Sequence, residues 1–156
     1  MCFIIPFYLI KNQTILMQDS TNFQRTAAMF LLRTLLGLIF LMQGWGKVFS
    51  FGIDGVYKSA FAAMETTWIP VFLLKFTAYF TSYAELIGGL FLVLGLFRKW
   101  TYLAFGVVLL LVSYGHGLTS PIWDLQNVFF RAALLVPLML LPIEWDKWAV
   151  DRMIGK

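Results

Sequence analysis

Arg33 to Lys47 reads RTLLGLIFLMQGWGK, an apolar run with a cation at each end and no charge between. Arg33, Gly37, Phe40, Gly44 and Lys47 follow one another at spacings of four, three, four and three residues, which places all five on one stripe of an α-helix. The glycines on that stripe mark a face that another helix can approach closely.

The rest of the chain sets the solvent for this helix. Of 156 residues, 60% are hydrophobic, 18% aromatic and only 13% charged, and the mean hydropathy is +0.79. A globular domain carries roughly a quarter charged residues, so this composition is that of a membrane protein and excludes a soluble enzyme. The formal charge of +4 records topology rather than affinity for nucleic acid, and no nucleic-acid partner is expected. Cys2 is the single cysteine, which excludes an intramolecular disulfide, a CxxC redox pair and a thiolate metal cage.

In chain order, residues 1–25 read as an N-terminal tail, in which the apolar run at 2–10 is too short to span and Met17 is an alternative start. Asp19 or Ser20 and Thr21 or Asn22 are then the capping candidates for the first helix. Residues 26–142 read as one four-span domain, with spans at about 26–49, 70–97, 100–118 and 125–142. Pro137 is expected to kink the fourth span. Between the first two, residues 50–70 have the helical spacing of a surface-lying amphipathic segment, with Val56, Ala60, Ala63 and Met64 apolar. Residues 143–156 read as an interfacial C-terminal helix. The expected fold is therefore all-α, a polytopic membrane four-helix bundle with an extracytoplasmic amphipathic segment between spans 1 and 2.

Lys11, Arg25, Arg98, Lys99, Lys147, Arg152 and Lys156 fall on the side of the termini, against Lys58 and Lys75 opposite. The positive-inside rule then puts both termini in the cytoplasm, in a bacterial inner membrane with the 50–70 segment facing the periplasm. Trp45, Trp68, Trp100 and Trp123 sit at span edges as an aromatic belt.

Charges inside spans are costly and need partners. Glu85 lies near the middle of the second span and shares a face with Ala78, Ser82, Gly89 and Leu92. Arg33 and Lys47 bracket it in depth; Arg33 is favoured as its partner because a guanidinium can hold a carboxylate through two hydrogen bonds. The pair either relays charge or only fixes helix register. Gly37, Gly44, Ser82, Gly88 and Gly89 are the expected helix-packing positions.

A second polar group gathers at the opposite boundary: Gln43 and Lys47 on the first span, Tyr114 and His116 on the third, Asn127 and Arg131 on the fourth. These six are a candidate pocket between helices of the bundle. Neither HxxxH nor ExxH spacing occurs, and no metal site is expected. Walker A, GxGxxG and GxSxG motifs and paired haem histidines are also missing, so no intrinsic cofactor is expected; any redox group is a bound quinone or belongs to a partner subunit.

The first-span pattern Arg33, Gly37, Phe40, Gly44, Lys47, with Glu85, Gly88, Gly89, Leu92 and Gly95 in the second, Arg98 after it, and Asn127 with Arg131 in the fourth, resembles the DoxX family of small four-helix bacterial membrane proteins over about residues 28–142. The family takes its name from the small subunit of an archaeal thiosulfate:quinone oxidoreductase, and the resemblance implies an accessory or membrane subunit of a quinone-linked oxidoreductase. Two other readings compete with it: a non-enzymatic anchor that stabilises a membrane or periplasmic partner, and a small-solute or proton pathway. The partners expected are the lipid bilayer, another oxidoreductase subunit or a periplasmic protein, and a second copy of the chain.

Overall fold

The computed structural model describes the backbone of residues 4–119 and 125–155, and side chains from residue 18 onward other than 119, 125 and 127. All of its regular structure is helical among the described residues. The opening stripe belongs to α1, Ile4–Trp45, whose 42 residues make it about 63 Å long. That is twice the roughly 30 Å of hydrocarbon in a bilayer, so α1 extends well beyond the span. Its start corrects the expected one. Asp19, Ser20, Thr21 and Asn22 lie inside the helix rather than capping it, because nothing between residues 11 and 25 breaks a helix, and Pro6 falls in the first turn, where proline is tolerated.

At its other end α1 passes into a π-helical turn, Gly46–Ser50. The connecting segment then runs through α2, Ile53–Val56, a π turn, Tyr57–Phe61, and a 3-10 turn, Ala62–Thr66. It is amphipathic, with Ile53, Val56 and Met64 buried, but it is a string of short turns rather than one helix. Ala63, counted on its apolar side, is exposed. Helix α3, Val71–Leu94, follows Pro70, and α4 spans Arg98–Thr119. Helix α5, Leu125–Leu140, contains Pro137.

Among the described residues, three stretches are long and apolar enough to cross a membrane: Gln18–Ser50, Val71–Leu94 and Arg98–Leu118. Helix α5 has 16 residues, about 24 Å, and joins them as a shorter apolar member. α1 packs on α3, α3 on α4, α4 on α5 and α5 back on α1, closing an all-α membrane bundle. Its interior holds Met29, Leu36, Phe40, Leu92, Phe105 and Leu135, with the Phe40 and Phe105 rings stacked 3.9 Å apart. Large apolar side chains such as Leu31, Met42, Phe72, Phe76 and Leu110 cover the outside, as lipid contact requires.

The α1–α3 contact is the closest, and glycine makes it so. A methyl group at Gly37 would stand 2.8 Å from Val93 N, and one at Gly44 or Gly89 would run into the backbone of Leu86 or Leu41. Gly88 faces α4 instead, where a methyl would meet Phe105 Cζ at 2.8 Å. Ser82 is fully buried and its Oγ donates to Ala78 O at 2.7 Å, so it needs no partner across the interface.

Helix α3 ends at Gly95 in the left-handed conformation, φ 74°, with Leu96 N donating to Phe91 O at 2.9 Å, a turn that suits glycine. Beyond α5 the chain forms a 3-10 turn, Ile143–Trp145, and α6, Val150–Met153. The continuous helix expected over 143–156 is replaced by an irregular segment folded against the α3–α4 turn, because its acidic residues have partners there.

Candidate functional site

Glu85 is 1% exposed on the small-residue face of α3, and a carboxylate so buried demands a counter-charge. Lys47 supplies it, with Nζ 2.7 Å from Glu85 Oε2 and the lysine side chain 30% exposed. Lys47 itself stands in the π turn, a local unwinding often met at functional sites.

Beside this pair opens a cavity of about 270 Å³. Gln43 and Lys47 from α1 and its π turn, Thr81 and Glu85 from α3, His116 from α4 and Arg131 from α5 bring polar groups to its wall. Phe61 and Met64 of the connecting segment also line it, and Met64 lies against Gly115. Gln43 Oε1 is buried without a hydrogen-bond partner. Arg131 stacks 5.9 Å from the Phe40 ring and lies within reach of the Glu85 charge. Lys47 and Arg131 against Glu85 leave the cavity one positive charge in excess, counting histidine as neutral. In the connecting segment, the Tyr57 hydroxyl donates to Glu65 Oε1 at 2.6 Å, and this hydrogen bond holds the phenol above its usual pKa.

Four of the six residues expected to form a pocket therefore meet: Gln43, Lys47, His116 and Arg131. Tyr114 points away and is 54% exposed. The side chain of Asn127 lies outside the described residues, as does Trp123. Glu85 and Thr81 belong to the same cavity, an association that their spacing of four on one helix face already allowed. No three of the described His, Cys, Asp and Glu residues gather as metal ligands.

The expected pair of Arg33 and Glu85 does not form. Gly44 packs at Glu85 and Leu86, Gly89 at Leu41, and Gly37 at Leu92 and Val93, so the two antiparallel helices are in a register that sets Lys47, not Arg33, at the level of Glu85. Arg33 is fully buried at the far end of α3. Its Nη1 donates to Leu92 O and, at 2.7 Å, to Val93 O, carbonyls of the last turn of α3. Its Nε donates to Asp146 Oδ2 at 2.7 Å.

Asp146 is also fully buried, and Arg98 Nη1 stands 3.4 Å from the same oxygen. Asp151 accepts from the Phe97 and Arg98 amides at 2.9 and 3.0 Å, capping α4. Desolvation pushes the Asp151 carboxyl up, but the Arg98 and Phe97 amides and the Arg98 guanidinium outweigh it and hold the group below its ordinary value. Ala149 closes on Gly95, where an added methyl would meet its Cβ at 2.7 Å. Sequence reasoning missed Asp146 and Asp151; the only signal was that three acids, Glu144, Asp146 and Asp151, stand among the three cations of the tail.

The DoxX family model matches residues 28–116, from the apolar part of α1 through nearly all of α4. Glu85, Lys47, Gln43 and His116 lie within the match, while Arg131, Asp146 and Asp151 lie beyond it. No curated protein and no solved structure matches the chain.

Proposed function

The chain belongs to the DoxX family of membrane proteins, and we propose that it is the membrane subunit of a quinone-linked oxidoreductase, with the Lys47–Glu85 cavity receiving the quinone headgroup. The observation that carries this reading is an ion pair with a buried carboxylate at the wall of a cavity between the helices of the bundle. A quinone supplies two-electron redox chemistry that no side chain here possesses. Its recognition needs hydrogen-bond donors for carbonyl oxygens inside an apolar slot.

The residues fit that need. Lys47 Nζ and the Arg131 guanidinium are donors at the wall, and the amide of Gln43 adds another. The excess positive charge favours oxygen atoms that gain electron density. Glu85 would orient Lys47 toward a bound headgroup. At about 270 Å³ the cavity is slightly below the roughly 300 Å³ of the smallest drug-sized sites, which suits a headgroup without its tail.

The positive-inside rule supports placing the termini in the cytoplasm of a bacterial inner membrane and the cavity toward the periplasm. A partner subunit or periplasmic protein would then approach over the connecting segment. The test is to extract quinone from the protein purified in mild detergent and to assay quinone reduction in membranes lacking it. Co-purifying quinone and a lowered rate support the reading; no quinone and an unchanged rate contradict it.

A non-enzymatic stabilising role is the second reading, favoured by the buried ion pairs that tie the C-terminal segment to the bundle. It predicts that Glu85→Gln lowers abundance but leaves activity per folded molecule intact. Solute or proton flux in proteoliposomes would mark the third reading, a transport pathway.

A further inference from the structure

Away from the Glu85 cavity, a groove of about 540 Å³ runs along the outer face between α3 and α4. Phe80, Tyr83, Ile87 and Phe91 form one wall, and Ala104 and Val108 belong to the other. From Phe80 to Phe91 the groove covers about 17 Å of helix, close to the roughly 15 Å of one bilayer leaflet. It ends at Phe97 and Trp100, which also line a second, polar cavity of about 540 Å³. That cavity carries Arg98, Lys99 and Arg152 against Glu144 and Asp151.

The charges in the polar cavity do not cancel. Arg98 is committed to Asp151 and Asp146. Arg152 Nη1 donates to Glu144 O at 2.6 Å, which leaves its other N–H groups available. Lys99 is exposed at the rim. Lys99 and Arg152 face Glu144 alone, a net positive mouth at the foot of an apolar slot one leaflet deep.

We infer that this groove and the adjoining basic mouth, which share Phe97 and Trp100, bind one anionic phospholipid, its acyl chain between α3 and α4 and its phosphate at Lys99 and Arg152. Charge complementarity and length select that occupant, since basic pockets between spanning helices hold anionic headgroups. A second copy of the chain fits less well: close helix contacts in membranes favour small residues, and the α3 wall presents Phe80, Tyr83 and Phe91. The site is independent of the quinone reading, because it shares no residue with the Glu85 cavity.

Native mass spectrometry of the full chain in mild detergent, titrated with phosphatidylglycerol or phosphatidylcholine, tests the inference. One phosphatidylglycerol per chain should survive activation that strips phosphatidylcholine. Lys99→Gln and Arg152→Gln together should weaken its retention roughly thirtyfold, and Lys99→Gln alone, which breaks no hydrogen bond among the described residues, should weaken it by a smaller factor. Ala104→Phe, which fills the slot, should abolish it. Thermal unfolding should be delayed by phosphatidylglycerol and not by inorganic phosphate. Equal retention of both lipids, retention unaffected by these variants, equal protection by free phosphate, or a lipid-free mass of two chains would each overturn the assignment.

Discussion

Arg33 and Asp146 are separated by 113 residues in sequence and by 2.7 Å between Arg33 Nε and Asp146 Oδ2, both fully buried. Through this contact the C-terminal segment is locked to the first and third helices. Arg33 caps the carbonyls that end α3, Asp151 caps the amides that begin α4, and Asp146 holds both arginines in place.

Asp146→Ala leaves Arg33 and Arg98 facing a hole in the interior, and breaking a buried pair from one side costs about 3–5 kcal/mol. Thermal unfolding in detergent should show a loss of that size. The double variant Arg33→Met with Asp146→Leu should recover much of it, since no charge is then left unpaired. An Asp146→Ala protein as stable as the parent would contradict the network.

Glu85 should couple to Lys47 and not to Arg33. Glu85→Gln leaves Lys47 partly hydrated, so its cost is smaller than that of Asp146→Ala. A double-mutant cycle with Lys47→Gln should give a coupling of about 0.5–3 kcal/mol, and the same cycle with Arg33→Gln close to none. Coupling to Arg33 instead would restore the pairing that the helix register excludes.

Glycine positions separate contact from mere flexibility. Gly44→Ala and Gly89→Ala push a methyl into opposing backbone, and overpacking of this kind costs about 1–3 kcal/mol or more. Gly46→Ala and Gly106→Ala meet nothing within 4 Å and should be neutral or slightly stabilising. Unfolding midpoints of the four variants check the order.

Acid should loosen the C-terminal segment. Asp151 is held below its ordinary value of 3.8, so the folded chain binds this proton more weakly than the unfolded chain does. Its contribution is present in full above about pH 4 and is lost as the pH falls through the depressed value. Asp151→Asn should remove that part of the acid dependence. Hydrogen exchange of the Phe97 and Arg98 amides as a function of pH measures it directly.

Much of this architecture is legible in the chain. The stripe from Arg33 to Lys47 gives the first helix, its glycines give the close face, and the small residues around Glu85 give the complementary one. Helical spacing also brings Gln43, Lys47, His116 and Arg131 to one end. The pairing of Arg33 was not legible, because depth within a span leaves register open and only the seating of Gly37, Gly44 and Gly89 resolves it. Asp146 and Asp151 act across long sequence separations, where periodicity carries no information. The turns of the connecting segment follow the cavity they cover rather than a regular amphipathic pattern.

Binding of a soluble short-chain quinone to the purified protein, compared between the parent and Lys47→Gln, tests whether the Lys47–Glu85 cavity receives a quinone headgroup. The parent should bind one quinone per chain and, in a variant that stays folded, affinity should fall roughly ten- to a hundredfold by the loss of a charged donor. No saturable binding to the parent, or equal affinity in both proteins, would contradict it.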